Sequence, residues 1–205
     1  MKEHLGDRDL FNRWTGSFEK ASIYRGLDDA NFQDFLKHWK PQLDKRAAEF
    51  SNWDEAAKGN VQDAHWDWVG KAKDEGVYDS FAIECDGVTQ GLMLVDIAPH
   101  FAKIESQRGR DICYIELISS APWNRPKFSD KPKYKGSGRI LLATAISLSH
   151  ELELKGRLGL HSLPESVSWY ELLGLVNCGF DGAKKMEYFE LTEEGAALLL
   201  RTTEE

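Results

Sequence analysis

Apolar residues follow their most regular pattern in the middle of the chain. Residues 112–118 read Ile-Cys-Tyr-Ile-Glu-Leu-Ile. They are apolar on both faces apart from Glu116, which is typical of a central strand covered on both sides. A polar loop follows, and residues 138–154 then place apolar side chains at helical spacing. The pattern predicts a buried strand over 109–119, a loop and an amphipathic helix, in that order.

The rest of the chain contains both strand-like and helix-like segments. The dipeptide Asp86-Gly87, between two strand-like runs, is a strong signal for a β-hairpin. The predicted strands are 21–24, 78–86, 88–97, 157–162 and 186–192, and the predicted helices are 28–39, ending near Pro41, 43–58, 61–73, 165–173 and 193–201. Because no internal repeat or linker interrupts this pattern, we expect one domain over residues 1–205.

Composition narrows the class of protein. A chain of 205 residues that is 41% hydrophobic can bury a proper core. It has no run of 18 apolar residues and no apolar signal region at its N-terminus, so we expect a soluble, cytoplasmic protein. The net charge of −8 disfavours a nucleic-acid partner. Neither the three cysteines nor the six histidines show metal-ligand spacing, so no metal and no disulfide are predicted.

One window of the chain is basic against this acidic background. Residues 125–139 contain one acid, Asp130, and six cations: Arg125, Lys127, Lys131, Lys133, Lys135 and Arg139. A charge run is usually a solvated loop. This one, however, ends in Gly-Ser-Gly at a predicted helix start, where free N–H groups favour anions and glycine allows close approach. The window therefore predicts a phosphate site, although it fits neither a P-loop nor a GxGxxG motif.

This arrangement resembles the GNAT superfamily of acyl-CoA-dependent N-acetyltransferases. Residues 133–138, Lys-Tyr-Lys-Gly-Ser-Gly, stand where the superfamily has Gln/Arg-x-x-Gly-x-Gly/Ala. Residues 166–175, Ser-Val-Ser-Trp-Tyr-Glu-Leu-Leu-Gly-Leu, resemble its Ala-x-x-Phe-Tyr-Glu-x-x-Gly-Phe segment. The asparagine common near Leu163 is absent, and either Gly174 or Gly179 could be the turn glycine. Segments 65–68, 121–124 and 188–192 are similar to those of a bacterial subgroup.

The resemblance implies a fold and an activity. The fold would be α/β (α+β in some schemes), with a central mixed, mostly antiparallel twisted sheet flanked by helices on both faces. A helical portion over about 28–75 would pack on that sheet. The activity would be transfer of an acetyl group from acetyl-CoA to a primary amine of a small molecule or a protein. Members commonly dimerise, which leaves a homodimer open for this chain.

The resemblance also implies which residues bind the co-substrate. The CoA pyrophosphate would lie on the loop formed by Lys133, Tyr134, Lys135, Gly136, Ser137, Gly138 and Arg139. The pantetheine arm would pair with the backbone of Leu117, Ile118 and Ser119. Acetyl-CoA would lie between the strand of Glu116 and the strand 157–162.

Two residues are candidates for the acid and base of acetyl transfer. Glu116 is a lone carboxylate in an apolar strand, where burial would raise its pKa and suit it to act as a base. Alternatively, it pairs with a lysine or arginine, or lies at the strand's exposed margin. Tyr170 matches the tyrosine that faces the CoA sulfur and would act as the acid. It could equally be a core aromatic residue beside Trp169.

Other interpretations remain open at this stage. A GNAT fold can bind acyl-CoA without turnover, as a sensor or interaction module. An acetyltransferase toxin that acts on aminoacyl-tRNA is disfavoured by the acidic charge. His161 is more simply a hydrogen-bonded structural residue than a catalytic one. Trp123 and Asn124 could contact a ligand, but a packed turn is the simpler interpretation.

Overall fold

The computed structural model describes residues 2–52, 61–74, 76–126 and 128–204. These residues form a single sheet in which the strand order is β6-β1-β2-β3-β4-β5-β7-β9-β8. Its strands are β1 (Glu3–Asn12), β2 (Ser17–Arg25), β3 (Tyr78–Cys85), β4 (Val88–Phe101), β5 (Asp111–Ser120), β6 (Tyr134–Lys135), β7 (Leu158–Ser162), β8 (Val176–Asp181) and β9 (Met186–Leu191). β5 and β7 are parallel, whereas the pairs β1–β2, β1–β6, β2–β3, β7–β9 and β8–β9 are antiparallel. The predicted mixed, mostly antiparallel sheet is confirmed.

Helices occupy most of the long connections. They are α1 (Asp29–Asp34), α2 (Lys40–Ala47), α3 (Trp68–Ala72), α4 (Ser137–Glu151), α5 (Val167–Leu172) and α6 (Glu193–Glu204). One π-helical turn, Phe35–Trp39, joins α1 to α2. Within the described residues, no helix is both long enough and apolar enough to cross a membrane.

The chain divides into two compact units. The first consists of Met1–Leu94 and Leu117–Leu141, and the second of Val95–Glu116 and Leu142–Glu205. A core in the first unit consists of Phe35, Trp39, Leu43, Val61, Ala64, Trp68, Ala72, Ala82, Leu92, Leu94, Leu117 and Ala121. A smaller cluster in the second unit consists of Ala102, Ile112, Tyr114 and Tyr188. The prediction of one domain over 1–205 stays a prediction.

The turn at Asp86-Gly87 follows from its residue types. Asp86 has a φ of +56° and Gly87 a φ of +68°. A two-residue hairpin turn of type I′ needs positive φ at both positions, and the Asp-Gly pair accommodates this at low cost. The predicted strands on both sides of the turn are confirmed as β3 and β4.

The N-terminal helices differ from the prediction in their ends. Asp28 caps α1 by accepting a hydrogen bond from the N–H of Asn31, as its position before the apolar run suggests. The expected stop near Pro41 is wrong, because Pro41 lies in the first turn of α2, where a missing N–H costs nothing. Of the helix predicted over 61–73, only α3 forms. Trp53 and the end of the helix predicted over 43–58 lie outside the described residues.

Three strands were not predicted: β1, β6 and β8. β1 is exposed along most of its length, so its sequence shows little alternation between apolar and polar residues. β8 contains an irregularity between Asn177 and Phe180 that includes Gly179, whose φ is +99°. Gly174, with a φ of +84°, lies between α5 and β8 and is therefore the glycine of the helix-to-strand turn.

Candidate functional site

The predicted phosphate loop lies at the start of the longest helix described. In the first unit, β6 pairs with β1 through Phe11 and Asn12. The chain then turns at Gly136, whose φ of +117° suits glycine. α4 follows, and the Ile140 N–H donates to the Gly136 carbonyl over 3.0 Å. Since the first N–H groups of a helix have no acceptor within it, an anion here gains hydrogen bonds and a favourable helix dipole.

Two buried side chains hold this loop in place. The Ser137 hydroxyl is 2.8 Å from the hydroxyl of Ser120, at the end of β5. The Tyr134 hydroxyl donates to the Glu19 carboxylate over 2.6 Å, and its N–H donates to the Asn124 side chain over 2.9 Å. Burial, followed by the Glu19 contact, raises the pKa of Tyr134 above its usual value. The side chain of Tyr134 therefore anchors the loop, and only the backbone of this residue remains available to contact a ligand.

The cations of the basic window have different environments. Lys131 and Lys135 are exposed, and Arg139 is half-buried. The Lys133 ammonium lies 3.6 Å from the Asp86 carboxylate and 4.8 Å from the centre of the Tyr134 ring. Lys127 lies outside the described residues. Among the described cations of this window, Lys131 and Lys135 are thus the ones exposed to solvent, where a phosphate group can reach them.

Arg125 corrects the expectation that the whole window serves phosphates. Its side chain is only 8% exposed and pairs with Asp63 through two hydrogen bonds of 2.8 and 2.7 Å. The same guanidinium donates to the Ser119 hydroxyl over 2.6 Å and to the Ser120 carbonyl over 2.8 Å. A bidentate, buried pair of this kind is a structural element. Arg125 fixes the end of β5 and is not available to a ligand.

The residues expected along the pantetheine arm lie at the end of β5. Leu117 is buried in the core of the first unit, and the Ser119 hydroxyl donates to Asp63 over 3.0 Å. Ile118 is half-buried. Because the side chains of Leu117 and Ser119 are occupied by the protein, any contribution of these residues to a ligand comes from their backbone. Trp123 and Asn124 both donate to the Gln90 side chain, so the interpretation of a packed turn holds.

In the second unit, Glu116 forms an ion pair with a lysine. Its side chain is 16% exposed, and its carboxylate lies 3.8 Å from the ammonium of Lys184, in the turn between β8 and β9. The ion pair that the sequence left open is therefore present. A carboxylate beside an ammonium is also the arrangement in which a base receives a proton from an amine, so the role of Glu116 stays a prediction.

A network that was not predicted surrounds His161 on the same unit. Its Nδ1 is 2.6 Å from the Tyr114 hydroxyl, and its Nε2 is 3.1 Å from Asp181 Oδ2. The Tyr188 ring lies 4.9 Å from the imidazole, and His100 stacks on Tyr114 at 4.3 Å. Burial lowers the pKa of His161 despite the opposing effect of Asp181. His161 is a half-buried, hydrogen-bonded residue, as the simpler interpretation of the sequence had it.

The pairing of the strands places this network and Glu116 on one face. Tyr114 pairs with Gly159, and His161 pairs with Tyr188. Since alternate residues of a strand share a face, Tyr114 and Glu116 share one with Gly159 and His161. No periodicity in the sequence marks these contacts, because they join residues of five different strands, β4, β5, β7, β8 and β9.

Tyr170 lies in α5 and is buried. Its ring packs 5.0 Å from Trp169 and 5.7 Å from Phe189. Burial, with a smaller effect of Glu165, raises the pKa of its hydroxyl, which therefore stays protonated at neutral pH. A protonated hydroxyl is what an acid needs, and the aromatic packing is what a core residue shows. Both interpretations of Tyr170 remain.

Metal chemistry has no candidate ligands within the described part of the chain. No group of three or more histidine, cysteine, aspartate or glutamate residues there could hold a metal ion. The cysteines Cys85, Cys113 and Cys178 form no disulfide in the described part of the chain.

When the chain is compared with known proteins, the similarity found is to solved structures. No protein-family model matches the chain. No curated protein matches its sequence significantly. The PaiA N-acetyltransferase from Thermoplasma acidophilum, solved with coenzyme A, is 12% identical over 83% of this chain and 97% of its own, with a TM-score of 0.51. A protein from Desulfovibrio desulfuricans, assigned to the GNAT family of acetyltransferases, is 16% identical over 84% of this chain and 99% of its own, with a TM-score of 0.50.

A toxin–antitoxin system also has this fold. AtaTR bound with acetyl-CoA is 14% identical over 87% of this chain and 97% of its own, with a TM-score of 0.51. These similarities, together with the mostly antiparallel sheet and its parallel β5–β7 pair, show that the chain has the fold of the GNAT acetyltransferases. The fold expected from the loop and helix motifs is confirmed.

Proposed function

We propose that the chain is an N-acetyltransferase that uses acetyl-CoA and acetylates a primary amine, on a small molecule or a protein, by direct attack. The observation that carries the proposal is the start of α4. There, Gly136 leads into a helix N-terminus, directly after the exposed Lys135 and five residues after the exposed Lys131 in the chain. Solved structures of the same fold include complexes with coenzyme A and acetyl-CoA.

The residues of the loop suit a diphosphate. Backbone N–H groups at 136–138 can donate to phosphate oxygens, and the helix dipole adds to the attraction. Lys131 and Lys135 supply positive charge in a protein whose net charge is −8. Gly136 has no Cβ to keep a phosphate at a distance. The backbone of residues 117–119 is the proposed partner of the pantetheine arm.

The proposed chemistry needs one base and one acid. Acetyl-CoA would supply the acetyl group as a thioester. Glu116 would accept a proton from the acceptor's ammonium, since only a neutral amine is nucleophilic. Tyr170, kept protonated by burial, would donate its proton to the leaving thiolate. Leaving Tyr170 deprotonated is unfavourable in its apolar surroundings, so a proton must then return from solvent.

The first test is thermal unfolding with and without acetyl-CoA. A ligand at about 100 times its Kd adds roughly 2.7 kcal/mol to the free energy of unfolding. We expect a rise in Tm of several degrees with acetyl-CoA and with free CoA, and none with ATP at the same concentration. Release of free CoA in the presence of a panel of primary amines is measured on the same samples.

The outcomes separate the alternatives. A rise in Tm with CoA release for some amine supports the transferase. A rise in Tm without release for any amine favours an acyl-CoA sensor. Release that requires aminoacyl-tRNA as the acceptor would favour a toxin. No rise with either CoA species would contradict the proposal and make the glycine loop a structural turn.

A further inference from the structure

The ion pair between Glu116 and Lys184 brings a primary amine of the chain to the proposed base. Lys184 lies in the exposed turn that joins β8 to β9, and about half of its side chain is solvent-accessible, 49%. Its ammonium nevertheless lies 3.8 Å from the half-buried Glu116 carboxylate. A lysine side chain is itself a primary alkylamine, the class of acceptor proposed above.

The position of Lys184 is set by the fold of its turn. The Asp181 carboxylate accepts hydrogen bonds from the N–H groups of Ala183, over 2.9 Å, and Lys184, over 3.3 Å. The N–H of the next residue, Lys185, donates to the Asp181 carbonyl over 2.7 Å. These three bonds form the turn around one aspartate, so Lys184 leaves it at a defined point.

The turn is also tied to the face of the sheet on which Glu116 lies. The second oxygen of the Asp181 carboxylate is 3.1 Å from Nε2 of the half-buried His161. His161 in turn contacts Tyr114, two residues before Glu116 on β5. A continuous set of hydrogen bonds therefore links the turn that carries Lys184 to the strand that carries Glu116.

We propose that Lys184 is a self-acetylation site, modified on Nζ by acetyl-CoA bound to the same chain. The inference rests on the proposed function. Glu116 takes one proton from the Lys184 ammonium, and the neutral amine forms a C–N bond to the acetyl carbonyl carbon. As the C–S bond of the thioester breaks, the nitrogen loses its second proton to solvent and Tyr170 protonates the leaving thiolate, which departs as free CoA. Glu116 then gives up its proton to solvent, and Tyr170 takes one up. The products are Nζ-acetylated Lys184 and CoA.

Acetylation would change the acceptor side of the site. An amide carries no charge, so the ion pair with Glu116 would be lost. Glu116 would then face an external ammonium without competition from Lys184. The modification thus removes one ammonium that competes with other primary amines for the Glu116 carboxylate.

The test is peptide mass spectrometry of the full chain after incubation with acetyl-CoA. Digestion uses a protease that does not cut at lysine, so that modified and unmodified peptides are comparable. Lys185 is the matched internal control, because it is exposed and adjacent but belongs to no ion pair with Glu116. We expect Lys184 to be acetylated about a hundredfold faster than Lys185. This factor is at the lower end of the rate enhancements that general bases provide.

Three variants make the result specific. Lys184→Arg should abolish the modification while keeping a cation beside Glu116, and Lys185→Arg should leave it unchanged. Glu116→Gln should slow acetylation of Lys184 about a hundredfold and leave the slow chemical acetylation of exposed lysines unaffected. The rate constant for Lys184 should not change on tenfold dilution of the protein, as expected for a reaction within one chain.

The result also distinguishes this inference from the proposed function. A rise in Tm with acetyl-CoA and turnover of external amines, but equal modification of Lys184 and Lys185, would overturn self-acetylation alone. A rate that falls with dilution would overturn the reaction within one chain. Absence of both the rise in Tm and the modification would overturn the two proposals together.

Discussion

The buried ion pair of Arg125 and Asp63 fixes several groups near the predicted phosphate loop. The guanidinium joins Asp63 to Ser119 and to the Ser120 carbonyl. Ser120 in turn contacts Ser137 at the start of α4. The end of β5 and the predicted phosphate loop are therefore connected through buried and half-buried side chains.

Asp63→Asn should destabilise the protein strongly. The substitution leaves the Arg125 charge buried without its counter-ion, which typically costs about 3–5 kcal/mol. Urea unfolding measures the loss in the free energy of unfolding. Asp9→Asn, at an exposed position of β1, controls for the loss of one carboxylate and should change stability by less than about 0.5 kcal/mol. An equal effect of the two substitutions would contradict the structural role of Arg125.

The sequence could not separate Arg125 from the other cations. All six look alike in a basic run, and Asp63 lies 62 residues earlier in the chain. Glu116 and Tyr170 are candidates because one interrupts an apolar strand and the other lies in a recognisable segment, and their catalytic roles stay predictions. The His161 network escaped prediction because its members belong to different strands and carry no shared spacing.

His161 should make stability depend on pH. Its pKa is below the ordinary value of 6.5 in the folded chain, so the unfolded chain binds a proton more readily. The free energy of unfolding should therefore fall as the pH is lowered through about 6.5. The charged and titratable groups around the imidazole are Asp181, Tyr114, Tyr188, Lys184 and Lys103.

The measurement compares urea unfolding at pH 7.5 and pH 5.5. His161→Gln keeps hydrogen-bonding groups but cannot gain a charge, so it should weaken the dependence on pH. His38→Gln, at an exposed position, should leave the dependence as it is in the unmodified protein. Identical profiles for the two variants would mean that other groups set this part of the pH dependence.

Among the elements, the junction of β6, Gly136 and α4 carries the clearest functional prediction. Gly136→Asp should abolish the rise in Tm caused by acetyl-CoA, because a carboxylate at the start of α4 repels phosphate. It should also cost about 1–3 kcal/mol of stability, since an aspartate at a φ of +117° is strained.

Gly6→Asp is the matched control for that strain. Gly6 has a φ of +135°, and an added Cβ there meets no atom within 4 Å. Its replacement should lower Tm to a similar extent but keep the rise with acetyl-CoA. If Gly136→Asp also kept the rise, phosphate binding would lie elsewhere.

Elements with a strong local signal were predicted well. β5 and α4 were predicted from continuous apolar patterns, and the β3–β4 turn from Asp86-Gly87. The predicted helix end near Pro41 was wrong because a π-helical turn continues the helical chain from α1 to Trp39. Pro41 then lies in the first turn of α2, where proline is tolerated. β1 and β6 escaped because exposed or very short strands leave no apolar alternation to detect.

For the whole molecule, the sequence predicts one domain, and the structure offers a way to test it. β4, β5 and α4 each contain residues of both compact units. Because these elements are continuous, we expect both units to unfold in one cooperative transition. Cys85 and Cys113 are thiols outside any disulfide in the described part of the chain, both 3% exposed, in the first and second unit respectively.

Thiol labelling across a urea series, read by peptide mass spectrometry, measures the two units separately. The midpoints for Cys85 and Cys113 should coincide. Cys178, which is half-buried, should react earlier than either and so reports exposure alone. Two separate midpoints for the buried pair would show that the units unfold independently and would contradict the prediction of one domain.

The position of β1 has a practical consequence for anyone who shortens this chain. Residues 3–12 look dispensable by hydropathy, yet they cover β2 and are paired with β6 at the start of the phosphate loop. Their charged side chains, Glu3, Asp7, Arg8 and Asp9 among them, discourage edge-to-edge association at the border of the sheet. A version that began at Gly16 would leave β2 as the new border, with the backbone groups that now pair with β1 left unpaired beside Phe18, which is already 70% exposed. We expect such a version to be less soluble and to hold the predicted phosphate loop less firmly, because β1 is the strand that pairs with both β2 and β6.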